Sequence, residues 1–290
     1  MEKMAATGQN VFSGSYTQRN AKFIAVTSGK GGVGKTSFVM NYAIALAERE
    51  KKVLLFDADL GMANVDVLMK ASSHYNIIDV IDGFKEMNEV ITKTDYHIDL
   101  IAGGSGISKL GSLDDLQMKR ITDGFTWLQT HYDYVFIDTG AGLSRNVTAF
   151  VHAADETIVV TTPEPHAITD AYSIVKVLLE ENKKLKLKLL INKCETTGEG
   201  EAVMKRVSRV IRDFLGYTIN ESGCIMESKA VSRSIRQQTP FMASYPTSDV
   251  AKCLRGLADE EIALLHEYHA DPEPVTNTFV GKFMRLFRMA

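Results

Sequence analysis

Apolar residues in this chain gather in short unbroken runs, separated by stretches in which they recur at helical spacing. Residues 22–27 (KFIAVT), 52–59 (KVLLFDAD), 98–103 (IDLIAG), 134–140 (YVFIDTG), 156–163 (ETIVVTTP) and 188–193 (KLLINK) read as strands buried on both faces. A strand with one wet face would alternate apolar with polar instead. The segment 37–49 (SFVMNYAIALAER) has helical spacing, and helical patterns lie between most of the other runs. Strands that alternate with helices, with few hairpin turns, predict an α/β fold: a doubly wound, mostly parallel sheet flanked by helices, in a single domain spanning residues 22–270. Ligands of such sheets bind beyond the carboxyl ends of the strands, where this sequence collects its Gly, Asp, Thr and Asn residues.

The two ends read differently. Residues 1–21 are rich in Ser, Thr, Asn, Gln and Gly without periodicity and are expected to form a flexible arm. Residues 271–278 carry two prolines and read as a linker. In the last segment, 279–290, helical spacing gathers Phe279, Val280, Phe283, Met284, Leu286 and Phe287 on one side and Lys282, Arg285 and Arg288 on the other. A basic helix with an aromatic apolar face suits an anionic membrane surface, so this tail is expected to target the membrane. Docking in a groove on the same chain is the competing expectation, and the two can alternate.

Composition narrows the class. The chain has 290 residues, 45% of them hydrophobic and 24% charged, with a formal charge of −3, which excludes disorder and collagen-like repeats. Cys194, Cys224 and Cys253 are widely spaced with no CxxC, so they are read as inert thiols rather than zinc ligands or a disulfide. His266 and His269 lack a third partner for a metal. No run approaches the roughly 20 apolar residues of a membrane span, and no secretory leader is evident. The expected location is the cytoplasm, reversibly peripheral to the inner face of the cytoplasmic membrane. Lys205, Arg206, Arg209 and Arg212 give one predicted helix a basic face, read as solvated surface, and no nucleic-acid partner is expected.

The chemistry begins at Gly29-Lys30-Gly31-Gly32-Val33-Gly34-Lys35-Thr36, followed by Ser37, between a predicted strand and a predicted helix. This satisfies G-x-x-x-x-G-K-[ST] in the context that the motif requires. Glycines let successive N–H groups turn inward toward phosphate oxygens, and the helix adds its N-terminal dipole. Lys35 is expected to reach the β- and γ-phosphates, and the Thr36 hydroxyl to ligate Mg²⁺. Asp57 and Asp59 end the next strand two residues apart, on one side if the strand continues through Asp59.

The loop SGKGGVGKT, with its second lysine, resembles the deviant Walker A motif of the MinD/ParA class of P-loop ATPases. DADLGMANVDVLM, NIIDVIDG and YVFIDTGAGLS resemble most the flagellar-number-regulating branch called FlhG or FleN. The resemblance runs from about residue 22 to residue 270 and implies a SIMIBI-type fold with ATP/ADP and Mg²⁺ as ligands. It further implies an ATP-dependent homodimer, monomeric otherwise, in which Lys30 crosses to the phosphates of the partner subunit. Asp59 then orients the attacking water, Asp57 supports the Mg²⁺ shell, and Asp138 is the Walker B acid. Gly140 senses the γ-phosphate in switch II, Asn192 reads adenine, and Glu164 with Asp170 lies near the dimer face and ribose. Residues 225–228 (IMES) stand where the family often has Pro-Glu-Asp, so only a backbone contact to the base is carried over there.

The implied function is a slow ATPase switch that sets flagellar number or placement, with hydrolysis releasing both dimer and membrane. Its implied partners are a flagellar GTPase of the signal-recognition class, basal-body components or a flagellar transcription regulator. The Asp-Gln-Ala-type helix with which many members stimulate that GTPase is not found in residues 1–20. A MinD-type division-site ATPase, a DNA-partition ATPase and a metabolic phosphotransferase are the competing readings, the last without a recognisable acceptor site.

Overall fold

The computed structural model describes residues 16–17, 21–59, 64–104, 113–270 and 273–288. Its centre is an eight-stranded sheet. In chain order the strands are β1 (Lys22–Ser28), β2 (Val53–Ala58), β3 (Thr92–Lys93), β4 (Asp99–Ala102), β5 (Tyr134–Ala141), β6 (Glu156–Thr161), β7 (Leu187–Cys194) and β8 (Asn220–Met226). Across the sheet they run β3-β4-β2-β5-β1-β6-β7-β8. Every pair is parallel except β3 with β4. The six expected strands are all present; β3 and β8 were not foreseen.

Both faces of the sheet are covered, which is why its strands read as unbroken apolar runs. On β1, Ile24 and Val26 join the core beneath the phosphate-loop helix (Lys35–Ala47) and the long helix Asp249–Ala270. Phe23 points the other way, toward the helices Asp115–His131 and Arg145–Ala153. At the amino ends of β1, β6 and β7, a buried square of charges ties the long helix to the sheet. Lys22 meets Glu156 at 3.2 Å and Glu261 at 2.7 Å, while Lys188 meets the same two acids at 2.8 and 3.0 Å.

The tail forms a helix, Phe279–Arg288, and its apolar face is not free. Phe279 (1% exposed), Val280 (6%) and Phe283 (0%) are inserted into the domain's own core. Phe279 stacks on Phe23 at 4.1 Å between ring centroids, and Phe283 sits 5.1 Å from Phe125 and 5.9 Å from Phe150. The Thr278 hydroxyl caps the helix by accepting from the Gly281 N–H. Lys282 donates to the Ala154 carbonyl (3.2 Å) and to Asp155 (3.3 Å). The docked arrangement is thus the one this structure describes, because the aromatic pattern that suits lipid suits an aromatic core equally well.

Two boundaries shift. Tyr16–Thr17, inside the expected arm, pairs antiparallel with Glu273–Pro274, inside the expected linker. A single turn of 3₁₀ helix, Val275–Asn277, follows. The rest of the expected arm except Ala21, residues 271–272, and 289–290 of the tail lie outside the described residues.

Candidate nucleotide site

The candidate residues converge at the carboxyl edge of the five central strands. β1 runs into the loop at Gly29, and Gly34, with φ of 93°, turns the chain left-handed into the helix that begins at Lys35. Gly32 is also left-handed, at φ 80°. Gly29 is needed for a different reason: a Cβ there would lie 2.3 Å from the backbone of Asp170, so the loop and the helix Pro165–Glu181 approach too closely for any side chain. The Ser28 hydroxyl donates to the Lys30 carbonyl at 2.8 Å, fixing the first turn of the loop. Val33 is buried in the core below the loop, and Thr36 and Ser37 are half-buried at the helix start.

The acids follow from strand register. Asp57 on β2 and Asp138 on β5 are directly paired positions, and Asp138 is paired on its other side with Val26 of β1. Asp138 is 1% exposed and neither of its oxygens has a hydrogen-bond partner of ordinary geometry among the described residues. Burial pushes its carboxyl up to about 7, opposed by the nearby Thr36 hydroxyl and Lys35 ammonium. Asp57 is likewise pushed up by burial, to about 6, against the pull of the Asp59 and Val65 N–H groups. A buried acid stripped of partners beside a Thr hydroxyl and a lysine is what a hydrated divalent cation would satisfy, so these residues fit Mg²⁺.

Asp59 lies just past the end of β2, which stops at Ala58, so it does not share the strand geometry that the two-residue spacing suggested. Its carboxylate packs instead over Gly140, where a Cβ would come within 3.2 Å of Oδ1. The β2 and β5 loops therefore meet through an acid and a glycine. Residues 60–63, the remainder of the expected switch I core, lie outside the described residues.

Lys30 does not fold back into its own loop. Its ammonium pairs with Glu164 at 3.1 Å, and the two side chains are 44% and 63% exposed. Glu164 immediately precedes the helix Pro165–Glu181 and makes no side-chain cap hydrogen bond to it, and the pair stands on the rim. Lys35, by contrast, is buried at 7% exposure.

Asn192 does reach the loop, though its amide has other work: Nδ2 donates to the Val33 carbonyl at 2.8 Å, and Oδ1 accepts from the Lys193 N–H. The residue that the sequence did not single out is Lys193. It takes a left-handed φ of 57° and donates its ammonium to the Gly32 carbonyl at 2.7 Å. A lysine directly after Asn192, near the end of β7, is the only linear trace of this brace. The three cysteines, far apart in sequence, also converge, with the Cys253 thiol toward the Cys224 carbonyl at 3.6 Å. Burial pushes their thiols up, Cys194 to about 12, which keeps them protonated. The side chains of His266 and His269 lie outside the described residues. No helix among the described residues is long and apolar enough to cross a membrane.

Comparison with known proteins agrees with this arrangement. Residues 21–191 match the family model described as AAA domain. The antiactivator FleN of Pseudomonas aeruginosa is 32% identical over 237 residues, covering 82% of this chain and 85% of that protein. The flagellum site-determining protein YlxH of Helicobacter pylori is 36% identical over 221 residues, covering 76% and 74% respectively. Among solved structures, the septum site-determining protein MinD of Pyrococcus horikoshii, complexed with Mg-ADP, superposes with a TM-score of 0.68 at 24% identity, covering 87% of this chain and 99% of that one. A lysine-bearing phosphate loop, paired strand-end acids and relatives of this similarity together place the chain in the MinD/ParA class of P-loop ATPases, alongside its flagellar members FleN and YlxH.

Proposed function

We propose that this protein is an ATP-driven switch that regulates flagellar number or placement by cycling between a monomer and a membrane-bound homodimer. The observation that carries the reading is Lys30, a second loop lysine that stands on the rim, half exposed and held by Glu164 rather than by its own loop. Two triphosphates facing each other across an interface repel unless cations lie between them, and a half-exposed rim lysine supports the reading that Lys30 is donated to the partner subunit.

Bound ATP would supply the γ-phosphoryl group, with Mg²⁺ neutralising charge on the phosphates. The backbone N–H groups of residues 29–35 and the Lys35 ammonium bind and orient the phosphates. The Thr36 hydroxyl and the Asp138 and Asp57 carboxylates hold the cation. Asp59 accepts the proton of an in-line water and fixes its direction, and Gly140 leaves room for a peptide to approach the γ-phosphate. Asn192 keeps one amide N–H beyond the one it donates to Val33 and is the candidate for the base.

Support for the membrane step comes from the tail, whose basic and apolar faces match a surface-bound helix once it leaves the core. One such helix binds weakly; two on a dimer act together at high effective concentration. Docked tails then belong to the monomer and freed tails to the ATP dimer, and slow hydrolysis returns one to the other. Support for the flagellar role comes from the FleN and YlxH similarity.

The test is light scattering after size exclusion. The wild type is expected to be monomeric with ADP and mixed with ATP, and Asp59→Ala dimeric with ATP. Lys30→Ala should bind nucleotide and stay monomeric throughout. A Lys30→Ala protein that dimerises normally with ATP sinks the reading.

A further inference from the structure

On the face opposite the phosphate loop's helix, the docked tail forms one wall of a cleft of about 830 Å³. The other walls come from the end of helix Arg145–Ala153 and from the turn that leads from Pro165–Glu181 into β7. Its charged lining is lopsided. Lys282 is matched by Asp155 at 3.3 Å, and the Glu181 carboxylate meets the His152 ring at 2.6 Å. Lys184, Lys186 and Arg285 remain, and among the described residues none of the three has a carboxylate within ion-pair distance. Arg285 spends one guanidinium nitrogen on the Thr276 carbonyl at 2.6 Å, which fixes the fork and leaves its remaining N–H groups for a ligand.

Four fixed cations, Lys184, Lys186, Lys282 and Arg285, against the two carboxylates of Asp155 and Glu181 leave an excess of positive charge around one concavity, which a compact polyanion relieves. We propose that this cleft binds a small phosphate-bearing polyanion, held between Lys184 and Lys186 on the body and Arg285 on the tail. Guanidinium and ammonium groups that line one cleft from two elements suit the several oxygens of adjacent phosphates, and Ala154, Leu185 and Leu286 supply the apolar part of the wall beside them. Because one wall is the tail itself, the complete site exists only while the tail is docked. A ligand that binds one of two states shifts the equilibrium toward it, so occupancy opposes tail release. This regulatory consequence rests on the membrane cycle proposed above; the binding site does not.

The probe is inorganic pyrophosphate, titrated calorimetrically into the full chain with excess Mg²⁺ and saturating ADP so that the phosphate loop is already filled. Binding is expected, and it should weaken at least about tenfold in Lys184→Glu/Lys186→Glu and also in Arg285→Glu. ADP affinity should be unchanged in both variants. Absence of pyrophosphate binding overturns the proposal, and binding indifferent to either variant overturns it as an adventitious ion only. In a second arm, pyrophosphate should reduce ATP-dependent binding to phosphatidylglycerol vesicles in the wild type and not in Lys184→Glu/Lys186→Glu. If pyrophosphate binds as expected and vesicle binding is insensitive to it, the regulatory step fails and the site stands. If soluble pyrophosphate fails while short-chain phosphatidylglycerol binds in a Lys184-dependent way, the soluble ligand is wrong and the cleft is a lipid headgroup site. A chain that never binds vesicles removes the cycle without touching the calorimetry.

Discussion

At Asp138 the folded protein holds a proton up to about pH 7, while the unfolded chain releases it near 4. Between those values the folded state binds more protons, so without the cation stability falls as pH rises through the window. Asp57 adds the same sign up to about pH 6. Urea denaturation of the nucleotide-free chain at pH 5 and pH 8 should show that loss, and Asp138→Asn should remove on the order of 3 kcal/mol of it. Mg²⁺ affinity must move oppositely, strengthening toward pH 8, because the cation requires the ionised acid; in Asp138→Asn this pH dependence should shrink to the part below about pH 6 that Asp57 carries, while the Mg²⁺-dependent turnover is lost. Gly29→Ala is a backbone collision rather than a charge effect. It should cost nucleotide affinity at least tenfold in an ADP titration, since the loop can only yield by moving off Asp170. The Lys30–Glu164 pair is exposed enough to contribute at most about 1 kcal/mol, so Glu164→Ala should change the ATP concentration needed for dimerisation by no more than several-fold.

Among the elements, the tail helix carries the clearest trade. Phe279 and Phe283 are fully buried among Phe23, Phe125 and Phe150, and truncating either to Ala in a well-packed core costs about 3–5 kcal/mol. Such variants also remove side chains that the proposed membrane step needs, so the cleaner lever is Asp155. It accepts from Lys282, from the Phe23 N–H and from the Tyr268 hydroxyl. Asp155→Asn should weaken docking and raise vesicle binding in the ADP state, measured by co-sedimentation; unchanged sedimentation would show that Lys282 does not hold the helix down. These elements also mark how far the linear chain can be read. Six strands were legible because parallel strands sealed on both faces must be apolar throughout. β8 was not, since its edge position leaves NESGCIM mostly half exposed, with Gly223 at φ 124° and its pairing irregular. The phosphate loop was legible because its chemistry is local. Lys193 and the Gly29–Asp170 contact were not, because each exists only after distant segments meet. The tail's helix was plain, but hydrophobic periodicity cannot say whether lipid or protein will cover it.

Across the whole molecule, opposite ends of the sheet have separate duties: acids and loops at the carboxyl edge, and the square of Lys22, Glu156, Lys188 and Glu261 at the amino edge. Removing one member strands its partners in a dry place, and Glu261→Ala should destabilise by about 3–5 kcal/mol in denaturant titration, with nucleotide affinity at the far edge preserved. The short ladder between Tyr16–Thr17 and Glu273–Pro274 bears on the geometry of the proposed cycle. A tail that hinges near Thr278 leaves this clasp shut and swings on a leash of only a few residues, so both subunits of a dimer must present the same flank to the bilayer. A tail that hinges at the end of the long helix has to pull the clasp open, and whatever grips the front of the chain then feels the back of it let go.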